Sequence, residues 1–368
     1  MSKNEKPKVP PLPIINMVIR FTNFLVKLRR KILPPQVLLV ESLIENFVIE
    51  RCIYITTEAW IPDMLAGGPK NIEQLAKNTG LNEDALYRVM RALTGVGIFK
   101  EKKGKVFGNT NLSKSLQSNI VGSMAALAKY TGAAWNIREW ADIYQSIEKG
   151  KDIFQIKYGK KLFDWLEENP EEFRIFDEAM TPISRLSDNP ITAAYNFSGI
   201  GSIVDIGAGH GFQLAAILKA NPKMKGGLFE LERVMLAAKQ EEALNDPLVK
   251  DRVKFAAGDF FKSAPKGYDA YFMKSILHDW SDNDAIKILK NCRRAIHDKG
   301  KLLVVDMVVK SDNKPHLSKY FDIAMILLVN GRERTREGFE KIFKESGFKL
   351  NRIIPTISPY YIVEGVPI

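Results

Sequence analysis

Residues 204–211 read Val-Asp-Ile-Gly-Ala-Gly-His-Gly. Glycine at 207, 209 and 211 lets the main chain turn tightly and come close to a ligand, where a Cβ would collide. The dinucleotide fingerprint G-x-G-x-x-G needs a glycine where Phe212 stands, so a pyrophosphate-cradling loop is disfavoured. Asp205, two places before the first glycine, suits a cationic ligand better than a phosphate. Further on, Leu-Phe-Glu-Leu ends an apolar run at Glu230, a carboxylate placed to accept hydrogen bonds from the two hydroxyls of a ribose. Ala-Ala-Gly-Asp-Phe-Phe then offers Asp259 to an adenine edge and the Phe260 ring to its face. These groups suit a nucleoside that carries a positive charge.

The stretch YDAYFMKSILHDWSD places His278 just beyond a fourth apolar run. A lone histidine is more often structural than catalytic, but two carboxylates favour the catalytic reading. Asp306 lies within LLVVDMVV, and Glu333 lies just ahead of a helix that begins near Thr335. Either can accept a hydrogen bond from one imidazole nitrogen, fixing the tautomer so that the other nitrogen faces an acceptor hydroxyl as general base. S-adenosylmethionine, a sulfonium nucleoside, fits the description of the ligand.

The elements that must position these groups alternate past residue 200. Strands are expected at 202–206, 225–230, 252–257, 268–273, 301–309, 348–354 and 359–364, and helices at about 211–220, 233–244, 283–296 and 335–346. This rhythm predicts an α/β, doubly wound, mainly parallel seven-stranded sheet covered on both faces, with ligands at the carboxyl ends of its strands. Before it, residues 121–195 read as helical and aromatic, with Trp135, Trp140, Tyr144, Phe154, Phe163, Trp165, Phe173 and Phe176. Most are expected in the core, and a minority are expected to wall a substrate pocket.

Residues 36–120 read as an apolar helix over about Leu38 to Leu65, a helix at 71–78 and a turn at Thr79-Gly80. A second helix is capped by Asn82, with Ala85, Leu86, Val89, Met90 and Leu93 as its buried stripe. GIFKEKKGKVFGNT then forms a hairpin, completing a winged helix. DNA binding and dimerisation both use this arrangement. Because Arg88 and Arg91 face Glu83 and Asp84 on the candidate recognition helix, no nucleic-acid partner is expected.

The chain has 368 residues and a net charge of +11, with 45% hydrophobic and 26% charged residues, and no apolar run long enough to cross a bilayer. The charge is uneven. Residues 1–35 carry eight basic groups against Glu5 alone, and the remainder is close to balanced. Residues 1–13 are expected to lack fixed structure. Residues 14–32 form an amphipathic helix with a basic end, which either packs on the same or a neighbouring subunit or docks on an anionic membrane surface. Arg20 and Lys27 interrupt its apolar run and no cleavage site follows, so a cytoplasmic protein is expected. Cys52 and Cys292 stand alone, without metal-ligand spacing, and are expected to be buried free thiols. No metal is expected.

Taken in order, VDIGAGHG, LFEL, AAGDFF, MKSILHDWSD and GRERT resemble the plant caffeate and flavonoid O-methyltransferases and their bacterial relatives. LAGGPKNIEQLAKNTGLNEDALYRVMRALTGVGIF resembles that family's winged-helix dimerisation domain, and FRIFDEAMTPIS its substrate-facing helix. The resemblance implies an S-adenosylmethionine-dependent O-methyltransferase of secondary metabolism. It would act on a small aromatic or polyketide-like acceptor, release S-adenosylhomocysteine, and be a homodimer through its N-terminal domain. By the same resemblance, Gly207, Gly209, Glu230, Asp259, Phe260 and Lys274, with Asp205, contact the cofactor. His278 is the base held by Asp306 and Glu333, and Trp140, Phe176, Met180 and Asp279 meet the acceptor. The implied domains are a basic arm (1–35), a winged-helix dimerisation domain (36–120), a helical layer (121–195) and a catalytic domain (196–368). N- or C-methylation, cyclisation or decarboxylation on the same fold is the alternative, and a winged-helix DNA-binding regulator a more distant one. The chain departs from the family in having Glu230-Leu231-Glu232 for the usual Asp-Leu-Pro, and Asp306 where plant members tend to carry Glu. The shorter Asp306 makes Glu333 the safer partner for His278.

Overall fold

A computed structural model describes residues 12–368, so the expectation for residues 1–13 falls almost wholly outside the described residues. The chain divides into two compact units between Gly132 and Ala133, inside the stretch expected as one helical layer.

The first unit opens with α1 (Leu12–Ile32) and α2 (Pro35–Glu58), with Pro35 at the first helical position, where its missing N–H costs nothing. The single apolar helix expected over 38–65 is therefore α2 followed by a short α3 (Ile61–Met64). Asn71 and Gln74 form a capping box that starts α4 (Ile72–Thr79), and Asn82 caps α5 (Glu83–Gly95) by accepting from the Ala85 N–H. Strands β2 (Phe99–Lys102) and β3 (Val106–Asn109) make the expected hairpin. The two-residue β1 (Lys70–Asn71), which pairs with β3 and was not expected, completes a three-stranded sheet. Leu75, Leu86, Met90, Leu93, Phe99 and Phe107 close the core. Leu86, Met90 and Leu93 are buried as expected and Val89 partly so, but Ala85 is exposed, because it sits in the capped first turn.

In the second unit, seven strands lie in the order β6-β5-β4-β7-β8-β10-β9. They are β4 (Ser202–Ile206), β5 (Lys225–Glu230), β6 (Val253–Ala257), β7 (Ala270–Lys274), β8 (Lys301–Met307), β9 (Phe348–Pro355) and β10 (Tyr360–Pro367). The first five are mutually parallel, and β10 runs antiparallel between β8 and β9. Alternate residues feed opposite faces. Ile203, Leu303 and Val305 pack on one side, with helices Phe212–Ala220 and Glu232–Ala238. Val204, Leu302 and Val304 pack on the other, with helices Asp282–Ala295 and Arg336–Glu345. Both faces are apolar, as a sheet covered on both sides requires. The expected 233–244 helix is two pieces, the second Glu242–Asn245. Helix Leu317–Val329 was not expected: its apolar residues crowd one run instead of alternating with polar ones. Strand order reverses at β4, so the crevice that receives a ligand opens beyond β4 and β7.

Candidate active site

The turn after β4 holds Gly207 at φ 68° and Gly209 at φ 55°, left-handed values that a side chain resists. A Cβ on Gly207 would lie 2.5 Å from Ile276 Cδ1 and 3.5 Å from Phe260 Cε1, whereas one on Gly209 would meet nothing within 4 Å. One glycine therefore lets the turn seat against its neighbours, and the other leaves open space above the backbone. The Gly209 N–H donates to Glu230 Oε2 (3.0 Å), and Glu230 Oε1 accepts from its neighbour Leu231 N (2.8 Å). Burial raises the Glu230 pKa. Asp205 is buried between β5 and β7, and burial pushes it up to about 8 against the pull of the Lys274 charge. Beyond β6, Asp259 Oδ1 accepts from Phe261 N (2.8 Å), and the Asn291 amide holds the Phe260 carbonyl (2.7 Å). Phe260 packs edge-on to Trp280, beside the glycine turn. Lys274 Nζ is committed to Asp188 (2.7 Å) and to the Ser184 carbonyl (3.2 Å), so its ammonium is engaged within the protein.

Just past β7, Ser275 takes φ 55°, a costly conformation for a residue with a side chain, and the chain bends into the short turn Leu277–Asp279. There His278 Nδ1 meets Glu333 Oε1 at 2.9 Å, and His278 Nε2 lies 3.5 Å from Asp279 Oδ1. His278 and Glu333 are buried. Asp306 is fully buried on β8, with neither oxygen hydrogen-bonded, and Glu333 Oε2 is likewise unpaired. Of the two carboxylates expected to hold the imidazole, Glu333 is the one that is hydrogen-bonded to it. Burial works against the charged ring, but the charges of Asp279, Glu333 and Asp306 outweigh it and raise His278 to about 10. Burial pushes Asp306 up to about 7 and Asp279 to about 6, in each case against the imidazole's charge.

Residues 140–349 match the O-methyltransferase domain family, and residues 41–119 match the O-methyltransferase dimerisation domain. The chain is 36% identical to phenazine O-methyltransferase PhzM of Lysobacter antibioticus, over 89% of this chain and 95% of that protein. It is 33% identical to the mitomycin biosynthesis 6-O-methyltransferase of Streptomyces lavendulae, over 88% and 93%. The chain belongs to this O-methyltransferase family. Its fold matches the S-adenosylhomocysteine-bound form of CalO1, a methyltransferase in calicheamicin biosynthesis, with a TM-score of 0.81 at 28% identity, covering 90% of this chain and 98% of that one. The methyl donor of the family is S-adenosylmethionine.

The methyltransferase also uses residues that sequence reasoning passed over. Arg334, 3% exposed, donates to the carbonyls of Leu277 (2.6 Å) and Trp280 (2.9 Å) and to Asp282 Oδ1 (3.1 Å), clamping the turn that carries His278. Arg332 N donates to the His278 carbonyl (2.8 Å), and a Cβ on Gly331 would lie 2.0 Å from that same oxygen. The GRERT stretch held both signals, but only its glutamate was read. In the glycine turn, His210 bridges Glu241 (2.7 Å) and Asp177 (3.4 Å), tying the loop to helix Pro170–Arg185. That helix carries Phe176 and Met180 one turn apart and half-buried, with Phe176 edge-on to Phe163. Trp140 is 37% exposed on helix Ala134–Ala141, outside the cluster in which Tyr158 and Trp165 pack on the buried Trp135 and Phe154. Cys52 and Cys292 are buried free thiols.

Proposed function

We propose that this methyltransferase methylates a hydroxyl of a small aromatic or polyketide-like natural product, with the His278 Nε2 as general base and Glu333 holding Nδ1. The observation that carries the reading is the 2.9 Å contact between Nδ1 and Oε1, buried at the end of β7. It leaves Nε2 as the nitrogen available to an acceptor hydroxyl, with Asp279 beside it. Asp306 adds negative charge that favours the imidazolium formed when the proton is taken. Asp205, Gly207, Gly209, Glu230, Asp259 and Phe260 hold the cofactor: open space over Gly209, the Glu230 carboxylate beside it and the Phe260 ring next to the turn suit a nucleoside. Lys274 contributes through its charge next to Asp205. Bound there, S-adenosylmethionine supplies an electrophilic methyl group on a sulfonium. The chain's own task is to align the acceptor oxygen, worth about 7 to 11 kcal/mol of barrier in a closed pocket, and to remove its proton, worth about 100- to 10,000-fold. Three carboxylates hold the proton on the ring, and any cationic ligand neighbouring them weakens that hold.

The names of the relatives support the acceptor class: they include a phenazine O-methyltransferase, a 6-O-methyltransferase of mitomycin biosynthesis and, at 30% identity, a xanthohumol 4-O-methyltransferase of hop. Trp140, Phe176, Met180 and Asp279 are proposed to meet that acceptor. The proposal extends to a homodimer joined through residues 36–120, supported by the dimerisation-domain match, with 121–195 as the pocket layer and 196–368 as the catalytic domain. Two buried free thiols support a reducing, cytoplasmic setting. The test is His278→Ala: calorimetry should show cofactor binding retained, while mass analysis of phenolic acceptors shows the gain of one methyl lost by at least about 100-fold. Undiminished turnover removes His278 from the role.

A further inference from the structure

Helix α1 is a long element to which neither the catalytic reading nor the dimerisation match gives a role. It presents Met17, Phe21, the adjacent Phe24 and Leu25, Leu28 and Ile32 to solvent along one side, at steps of three to four residues from one turn to the next, with Phe21 60% and Phe24 59% exposed. Arg20, Lys27 and Lys31, seven and four residues apart, form a row along one edge of that stripe. Arg29 stands on the other side, ion-paired to Glu41, and Arg30 lies opposite the stripe. From Lys6 to Val40 the chain contains no Asp or Glu.

We infer that α1 is an interfacial anchor that lies in the plane of an anionic bilayer surface, its apolar stripe among the acyl chains and its cations at the headgroups. An apolar face edged by basic residues on a helix without acids fits that environment. The helix does not cross the membrane: among the described residues no helix is long and apolar enough to do so. A second copy of the chain fits α1 less well. Two such helices face to face set cations against cations, with no acid on either to pair with them. The dimerisation match begins at residue 41, after α1 ends, and the exposed apolar residues Leu43, Ile44, Phe47 and Val48 of α2 fall within it. Dimerisation therefore accounts for α2 and leaves α1 to another partner.

The test is sedimentation of the full chain with phosphatidylcholine vesicles and with vesicles enriched in phosphatidylglycerol, at low and high salt. The protein should pellet with the anionic vesicles only and be released by salt. Lys27→Ala and Lys31→Ala should each weaken binding about fivefold. Phe21→Asp with Phe24→Asp should abolish binding while light scattering still reports the wild-type mass. Failure to pellet with anionic vesicles, equal pelleting with neutral ones, or a halved mass in the Phe21 and Phe24 variant would each overturn the inference, the last by giving α1 to a second copy. Because α1 holds no residue of the His278 site, none of these outcomes bears on the assignment of the catalytic residues.

Discussion

Replacing Glu333 with Gln isolates the part of the site on which the mechanism most depends. The amide keeps the shape and can still accept from Nδ1 through its oxygen, so the tautomer survives and only the charge is removed. Hydrogen bonds to charged groups contribute about 1.5 to 3 kcal/mol, which predicts a fall of roughly 10- to 150-fold in the rate plateau. The pH dependence has a definite sign. The Glu333 charge favours the imidazolium and helps raise His278 to about 10, so its loss lets the ring shed its proton at lower pH. An opposite charge at this range moves a pKa by about 1 to 3 units, so the acid limb of kcat/KM, which reports the free enzyme, should move to lower pH by that order. The assay is initial rate of S-adenosylhomocysteine release across pH, with cofactor affinity measured separately by calorimetry. A lower plateau with a limb shifted to lower pH and unchanged cofactor binding is the expected pattern. An unmoved limb with an unchanged plateau would refute the role of Glu333, and a loss of cofactor affinity matching the loss of rate would make its effect structural.

Gly331→Ala places a Cβ 2.0 Å from the His278 carbonyl and 2.8 Å from the Asp279 carbonyl carbon, so the turn must move. Single-turnover rates should fall by about 100-fold, as a misplacement of about 1 Å does, with cofactor affinity nearly intact. His210 is raised to about 9 by its bond to Asp177, with Glu241 assisting and burial opposing. The stability it contributes is fully present below its unfolded value near 6.5 and is lost as pH rises through about 9. His210→Gln should therefore cost about 1 to 2 kcal/mol at neutral pH and little above pH 9, read as melting temperature against pH. Asp306 titrates the other way: burial raises it to about 7, so it destabilises the fold increasingly as pH rises from about 4 to 7. Asp306→Asn should flatten that part of the stability curve while slowing turnover, and a stability curve unchanged from wild type would contradict the burial seen on β8.

The central strands were legible because they are largely apolar runs, β7 for example closing on Lys274, and β4 and β5 fall where the sequence placed them, Ser202–Ile206 and Lys225–Glu230. The residues proposed to do chemistry stand just past such runs, where a sheet of this kind receives its ligand. The scaffolding of those residues was not. Arg334 looks like one more charge on a basic chain, and only the folded turn shows its guanidinium spanning the carbonyls of Leu277 and Trp280. Ser275 carries no mark of a left-handed backbone, because serine gives no local reason for one. Helix Leu317–Val329 was invisible because a crowded apolar run fits strand or helix equally until its neighbours decide.

Asp306 and Glu333 show where sequence and structure part over chemistry. Both are buried carboxylates whose charges act on one imidazole, and the residue types already favour Glu333 over the shorter Asp306 as its partner. The fold separates them: the glutamate comes from a loop and meets Nδ1, while the aspartate lies on β8 with both oxygens unpaired. A buried, unpaired carboxylate is costly, and a fold that keeps one gains from its charge or its proton. In the mechanism proposed here that gain is electrostatic: once ionised, Asp306 adds its charge to that of Glu333 in favouring the imidazolium, while only Glu333 holds the ring by a hydrogen bond.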